Sequence, residues 1–196
     1  MLIKRIVDFL AALAGLLLLW PVFLIVACSI KLDSPGPVFF RQERVGRYGV
    51  PFRIFKFRTM RNDSERKGQI TVGADSRVTR SGEWLRRYKV DELPQLINVL
   101  TGEMSLVGPR PEVPRYVAKY PADVRELVLS VPPGITEWAS ILYKEENVVL
   151  GKAADPERAY VEEILPIKLD YYLRYVKTRS LAEDMRIILR TITAIL

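Results

Sequence analysis

The hydrophobic residues of this chain are concentrated in one long uncharged stretch close to the N-terminus. The residues from Phe9 to Ile30 include no Asp, Glu, Lys or Arg. As one helix rising ~1.5 Å per residue, the stretch would reach roughly 33 Å, enough to cross a hydrocarbon core of about 30 Å. Pro21 lies in its middle, and an interior proline removes one backbone hydrogen bond and clashes with the preceding turn. The halves on either side, about 18 Å and about 15 Å long, are each too short to cross.

The charges that flank this stretch discriminate between membrane topologies. Lys4 and Arg5 precede it, and Lys31 and Arg41 follow it. Because basic residues tend to stay on the cytoplasmic side, positive charge at both ends favours a re-entrant helix-break-helix that dips into one leaflet over a kinked spanning helix. We therefore predict a membrane element at residues 1–32 and a cytoplasmic domain with interfacial helices at 33–196.

The same stretch allows a third interpretation. The residues Ile25 to Cys28 resemble a lipoprotein processing site, which would make Cys28 the lipidated first residue of an exported protein. The apolar stretch before Cys28 is longer than the roughly 7–15 residues of a signal-peptide core, which favours a plain buried cysteine instead.

Two short segments after the breaker-rich residues 33–37 have the pattern of strands. They are Val38 to Arg41 and Phe52 to Arg58, and the residues from Gly46 to Pro51 supply the turn between them. A short antiparallel sheet among several helices makes the fold class α+β. Alternating aromatic and basic residues in the second segment also suit single-stranded nucleic acid, although no RNA-binding signature accompanies them.

Apolar residues near the C-terminus recur at helical spacing from Leu181 to Leu196, with charged residues between them. This pattern predicts an amphipathic helix, which either packs on the domain or lies in the membrane interface.

Composition narrows the chemistry further. The 196-residue chain has no histidine, which excludes Ser-His and Cys-His nucleophiles and a His-bound zinc. A single cysteine excludes an intramolecular disulfide and fits a reducing compartment. The net charge of +7 favours an anionic partner, such as a membrane surface, nucleic acid or a phosphorylated substrate.

Two adjacent carboxylates, Asp91 and Glu92, begin an apolar segment that the pattern predicts to be a helix. We expect Asp91 to be its N-cap and Pro94 to lie in its first turn. Most such residues only cap the helix and complement its dipole. A helix N-terminus also attracts phosphate, however, and Arg86, Arg87 and Arg110 could hold a pyrophosphate there. Asp91 is then a candidate nucleophile.

The ordered motifs of the chain resemble those of the small monotopic bacterial sugar transferases, the polyprenol-phosphate phosphoglycosyl transferases. The resemblance runs nearly end to end. It rests on residues 4–8, the Pro21-broken apolar stretch, and the motifs at 34–42, 55–60, 90–100, 102–111 and 133–136.

The resemblance implies a reaction. The family transfers a phosphosugar from a UDP-sugar to undecaprenyl phosphate at the cytoplasmic face of the bacterial inner membrane, releases UMP and begins surface glycan assembly, for example of an exopolysaccharide. By this resemblance Asp91 is the nucleophile that forms a covalent phosphosugar intermediate, Glu92 assists it, and Mg²⁺ is required, with Asp91 as its protein ligand. Membrane lipids are expected partners, nucleic acid is not, and a homodimer is left open.

The resemblance also suggests residues that bind the substrate phosphates. They are Arg86, Arg110, Lys56, Arg58 and Thr136. After Thr136, many family members continue with a segment that ends in arginine, whereas this chain reads Glu137-Trp138 and lacks that arginine. Lys144 lies nearby as a substitute, and the divergent segment 137–151 leaves the identity of the sugar open.

Overall fold

A computed structural model describes residues 2–61, 75–143 and 146–195 of the chain. These residues form two compact units. The first comprises residues 2–42, 53–61 and 75–102, and the second comprises residues 43–52, 103–143 and 146–195. The α+β class that the sequence predicts is confirmed. The predicted division at residues 32 and 33 concerns the membrane and stays a prediction.

Helix α1 spans Leu2–Asp33 and continues through Pro21. The structure thus has one continuous helix where the sequence predicts two, because the loss of one hydrogen bond at Pro21 leaves the rest of the helical ladder in place. The re-entrant topology concerns the membrane and stays a prediction. Among the described helices, α1 alone is long and apolar enough to cross a membrane, by length and composition. Most of its large apolar side chains, including those of Leu17, Leu18 and Ile25, are exposed.

The first unit packs a hairpin and two helices against part of α1. The elements are β1 (Phe39–Val45), β2 (Pro51–Phe57), α2 (Arg80–Arg87) and α3 (Gln95–Thr101). Strands β1 and β2 pair, as the sequence predicts, although β1 extends four residues beyond the predicted end. Val26 and Ile30 of α1 bury their side chains with Phe57 of β2 and Leu85 of α2.

The aromatic side chains of the hairpin contact one another. The ring of Phe39 stacks on that of Phe57 and meets the edge of Phe55, and the guanidinium of Arg41 lies 3.4 Å from the centre of the Phe55 ring. These contacts favour the packing role of the aromatic residues over the nucleic-acid alternative.

The segment around Asp91 differs from its predicted form. Residues Val90–Glu92 form a 3₁₀ turn, and α3 begins only at Gln95, after Pro94. The prediction that Asp91 caps the helix is therefore wrong, because Lys89 takes a left-handed conformation (φ 54°) and starts a separate turn ahead of α3. At the other end of α3, the guanidinium of Arg5 donates hydrogen bonds to the carbonyls of Val99 and Leu100 (2.5 and 2.8 Å).

The second unit contains a parallel strand pair that the sequence did not predict. Strands β3 (Ser105–Val107) and β4 (Gly134–Thr136) align with Ser105 opposite Gly134. The backbones come close beside this pair, since a Cβ added to Gly134 would lie 2.0 Å from the nitrogen of Gly108. Short strands separated by a helical crossover leave little periodicity in a sequence, which explains the omission.

Helices surround this strand pair. They are α4 (Pro114–Val117), α5 (Ala122–Leu129), α6 (Trp138–Leu142), α7 (Glu146–Lys152), α8 (Pro156–Ala159), α9 (Leu165–Thr178) and α10 (Leu181–Ile195), with a π-turn at Tyr160–Ile164. The predicted C-terminal helix is confirmed as α10. Its Asp184 and Ile187 are buried, whereas Met185 and Leu189 are exposed. One face of α10 thus packs on the unit and a second apolar face stays uncovered.

The close approach of α2 to residue Thr59 yields a stability prediction. A Cβ at Gly82 would lie 2.1 Å from the carbonyl oxygen of Thr59, a backbone atom that cannot move aside cheaply. We expect Gly82→Ala to lower the free energy of unfolding by about 3 kcal/mol, near the upper end of overpacking effects. Gly49→Ala is the control, since it meets only the cost of a positive φ (79°), about 1 kcal/mol. The measurement is thermal unfolding of both variants in one detergent. A larger loss of stability in Gly49→Ala than in Gly82→Ala would contradict this account.

Candidate active site

Asp91 lies in the 3₁₀ turn between α2 and α3, where its side chain is almost removed from solvent. The residue is 9% exposed. Its neighbour in space is Arg86, in the last turn of α2, whose charge interacts favourably with the Asp91 carboxylate. The structure therefore brings the predicted nucleophile and one predicted phosphate ligand together.

The guanidinium of Arg86 is held in place and largely desolvated. Its Nε donates a hydrogen bond to Oγ1 of Thr59 (2.9 Å). Burial lowers the pKa of Arg86 below its usual value, and this effect exceeds the opposing influence of Asp91 and Asp75. A cation that has already lost much of its hydration interacts more strongly with an incoming phosphate than a solvated one does.

Glu92 pairs with the second predicted ligand of this unit. Nζ of Lys56 lies 2.7 Å from Oε1 of Glu92. The strand that carries Lys56 is fastened to α3 by Asn98, which accepts a hydrogen bond from the Phe55 nitrogen (2.8 Å) and donates one to the Arg53 carbonyl (3.0 Å). Asn98 thereby sets the position of Lys56 beside the carboxylate pair.

Arg58 occupies a different environment. It is 5% exposed, and its nitrogens donate hydrogen bonds to the carbonyls of Pro37, Pro35 and Ser34 and to the Ser34 hydroxyl. The predicted phosphate contact stays untested, but these bonds favour a role in holding the turn that follows α1.

Sequence reasoning missed the residues that support Arg86. Asp75 forms a bidentate pair with Arg77, with oxygen-to-nitrogen distances of 2.5–2.9 Å, and its charge also reaches Arg86. Thr79 caps α2 and donates its backbone N–H to the Thr59 carbonyl (3.0 Å). These residues are far from Asp91 in sequence and belong to no motif with a recognisable spacing, so only the fold reveals them.

The second unit carries the other predicted ligands. Arg110 lies between β3 and α4, directly after Pro109, whose carbonyl accepts a hydrogen bond from the nitrogen of Gly134 (2.9 Å). The hydroxyl of Thr136 lies 2.6 Å from that of Thr191 on α10, so it contacts a neighbouring helix. Lys144 lies outside the described residues.

The carboxylates are compatible with the expected Mg²⁺. Within residues 2–61, 75–143 and 146–195, no group of three or more His, Cys, Asp or Glu side chains is arranged to hold a metal ion. Magnesium in phosphoryl-transfer sites usually has one or two protein carboxylates and takes its other ligands from substrate phosphates and water. Asp91 and Glu92 are adjacent carboxylates of this kind, and they would be the residues to hold the ion.

Comparison with known proteins gives a match over the whole chain. The model of the family described as "Bacterial sugar transferase" matches residues 1–196. A UDP-N-acetylgalactosamine-undecaprenyl-phosphate N-acetylgalactosaminephosphotransferase from Aeromonas hydrophila is 42% identical over 99% of this chain and 44% of its own length. A UDP-glucose:undecaprenyl-phosphate glucose-1-phosphate transferase from Xanthomonas campestris is 40% identical over 98% of this chain and 38% of its own.

Other relatives are closer to this chain in length. The exopolysaccharide production protein PSS from Rhizobium leguminosarum is 38% identical over 98% of this chain and 94% of its own length. The chain thus spans less than half of the first two relatives and nearly all of the third.

The Asp75–Arg77 pair gives a prediction on pH. Hydrogen bonds from the Arg77 side chain hold the pKa of Asp75 below its ordinary value of 3.8. The ionised carboxylate therefore stabilises the fold above about pH 4, and this contribution is lost as the pH falls through the lowered pKa. We expect Asp75→Asn to be less stable than the parent at pH 6, with the difference shrinking below pH 4. Thermal unfolding at pH 6 and pH 3 measures this, and a difference that is constant with pH would contradict it.

Proposed function

Because the chain belongs to the bacterial sugar transferase family, we propose that it transfers a phosphosugar from a UDP-sugar to undecaprenyl phosphate. The observation that carries the proposal is the buried carboxylate of Asp91 beside the desolvated cation of Arg86. The names of the relatives support the same donor and acceptor classes. The product would be a diphosphate-linked lipid that begins a surface glycan.

The first step would form a covalent intermediate. The Asp91 carboxylate attacks the β-phosphorus of the UDP-sugar, the bond between that phosphorus and the bridging oxygen breaks, and UMP leaves with the electron pair. Arg86 would support this step, because its charge acts on Asp91 and would offset negative charge that accumulates on the phosphate oxygens during the attack. The leaving group is already a good one, so no general acid need be invoked for it.

The second step would transfer the phosphosugar to the lipid and free the Asp91 carboxylate. An oxygen of the undecaprenyl phosphate attacks the same phosphorus, and the bond to Asp91 breaks, which restores the carboxylate. Splitting the displacement in two means that the two anionic substrates never need to react directly with each other. Glu92 follows Asp91 in the sequence and pairs with Lys56, and this pair fixes the turn that presents Asp91.

The expected metal would act on the donor. Mg²⁺ bound to the diphosphate offsets its charge, and the carboxylates of Asp91 and Glu92 are the residues that could hold the ion.

Membrane attachment would place the lipid phosphate within reach. Exposed apolar side chains along α1, and a second exposed apolar face on α10 formed by Leu181, Met185, Leu189 and Ile192, suit contact with lipid. Trp84 and Tyr88 are also exposed, and such aromatic side chains favour the level of the headgroups. We place the chain at the cytoplasmic face of the bacterial inner membrane.

The covalent step predicts a gain in mass. Incubation of the purified protein with Mg²⁺ and a panel of UDP-sugars, without lipid acceptor, should add one phosphosugar to a fraction of the molecules. Asp91→Asn should remain folded, gain no mass and lose turnover, whereas the exposed carboxylate control Asp123→Asn should behave as the parent. Near-normal UMP release by Asp91→Asn would refute the assignment of the nucleophile.

The re-entrant topology predicts the location of the N-terminus. In a Cys28→Ala background, a cysteine placed by Leu2→Cys should resist a membrane-impermeant maleimide added outside intact cells. Pro21→Ala should favour a straight, spanning helix and so expose that cysteine in part of the population. Labelling of the protein that retains Pro21 would show that the helix crosses, and the re-entrant proposal would fail.

A further inference from the structure

Two buried ions of opposite charge in the second unit have no role in the proposed reaction. They are Glu112, which follows directly on the motif that contains Arg110, and Lys168 on α9, each 6% exposed. Buried charges are costly unless they are paired and hydrogen-bonded, so their retention calls for a physical explanation.

Glu112 is compensated on both of its oxygens. Its Oε1 accepts a hydrogen bond from the Tyr160 hydroxyl (2.6 Å) and lies 3.8 Å from Nζ of Lys168, while Oε2 lies 3.6 Å from Nη1 of Arg44. Burial and the charge of Glu112 raise the pKa of Tyr160, which keeps its hydroxyl protonated and able to donate. The carboxylate is therefore held from three directions.

The backbone on both sides of Arg110 is fixed by hydrogen bonds, and Arg44, the partner of Glu112, donates one of those on the C-terminal side. Nη1 of Arg44 donates a hydrogen bond to the Pro111 carbonyl (3.0 Å), and the nitrogen of Val45 donates one to the Glu112 carbonyl (3.0 Å). Ahead of Arg110, the Pro109 carbonyl is bound by Gly134. Glu112 keeps the Arg44 guanidinium beside this segment by charge.

Lys168 connects this arrangement to the divergent region of the chain. Its Nζ lies 3.0 Å from Oε2 of Glu146, at the start of α7, and 3.4 Å from the Tyr160 hydroxyl. Lys168 thus interacts with two carboxylates, that of Glu112 beside the Arg110 motif and that of Glu146. Glu146 belongs to the segment 137–151, which diverges from the family pattern.

We propose that Glu112 is a positioning residue for donor binding, which holds Arg110 in the orientation that binds the diphosphate of a nucleotide. Lys168 extends the same control to α7 through Glu146. This inference rests on the proposed function in one respect, the assignment of a nucleoside diphosphate group as the ligand of Arg110.

The test is a double-mutant cycle on the full chain in detergent, with UDP as the probe. Glu112→Gln preserves size and an acceptor for Tyr160 but removes the charge opposite Arg44 and Lys168. We expect it to weaken UDP binding by roughly three- to thirty-fold, which lies within the range of couplings inside one network, as measured by calorimetry. In an Arg110→Ala background the same change should have no further effect. The exposed carboxylate control Glu126→Gln should bind UDP as the parent does.

Kinetics separate positioning from a general loss of stability. Glu112→Gln should raise the KM for the UDP-sugar with little change in kcat, because it acts through Arg110 rather than on the reacting atoms. Tyr160→Phe should act in the same direction with a smaller effect, and it carries the test if Glu112→Gln does not fold. Glu146→Gln should also raise the KM modestly.

Unchanged UDP affinity in Glu112→Gln and Tyr160→Phe would overturn the inference, and so would losses that simply add in the double variant. Failure of the parent to bind UDP would overturn it as well. UDP binding without UMP release from any UDP-sugar would instead refute the proposed function and leave the positioning role standing.

Discussion

A guanidinium that is partly withdrawn from water beside a carboxylate is the constraint on which the first unit depends. Arg86 loses hydration in the last turn of α2, and it is tolerable there because Asp91, Asp75 and the Thr59 hydroxyl replace the missing water. The arrangement requires α2 to lie against the backbone at Thr59, which only a glycine at position 82 permits. In this unit the packing of α2 and the electrostatics of the site therefore depend on the same contacts.

The second unit also relies on buried charges, but here they hold a segment of backbone in place. It presents Arg110 on a short irregular segment, and irregular backbone holds a direction only if its carbonyls are bound. Strand pairing through Gly134 binds the carbonyl ahead of Arg110, and the buried charges of Arg44 and Glu112 secure the segment behind it. Rigidity here comes from few, strong contacts rather than from a long regular element.

Much of this could be predicted from the sequence, and the failures have physical causes. The hairpin and α10 were predicted because their patterns are local and periodic. The position of Asp91 differs from the prediction. Its side chain lies beside Arg86 rather than capping α3, and the left-handed conformation of Lys89 has no signature in the sequence. Glu112 gives no signal in the sequence because its partners Tyr160, Lys168 and Arg44 lie far away along the chain. Asp75 pairs with the nearby Arg77, but a lone Asp-Arg pair belongs to no motif, and only the tertiary fold brings its charge to Arg86.

The division of the hairpin between the two units affects the design of chimeras of related proteins. Its base belongs to the first unit and its tip, residues 43–52, to the second, where Arg44 and Val45 bind the Pro111–Glu112 backbone. A chimera that replaces everything after residue 102 would separate the tip from the partners with which it evolved. Among the described residues, a crossover that transplants the second unit therefore needs two pieces of the foreign chain, the tip and the C-terminal part, inserted together.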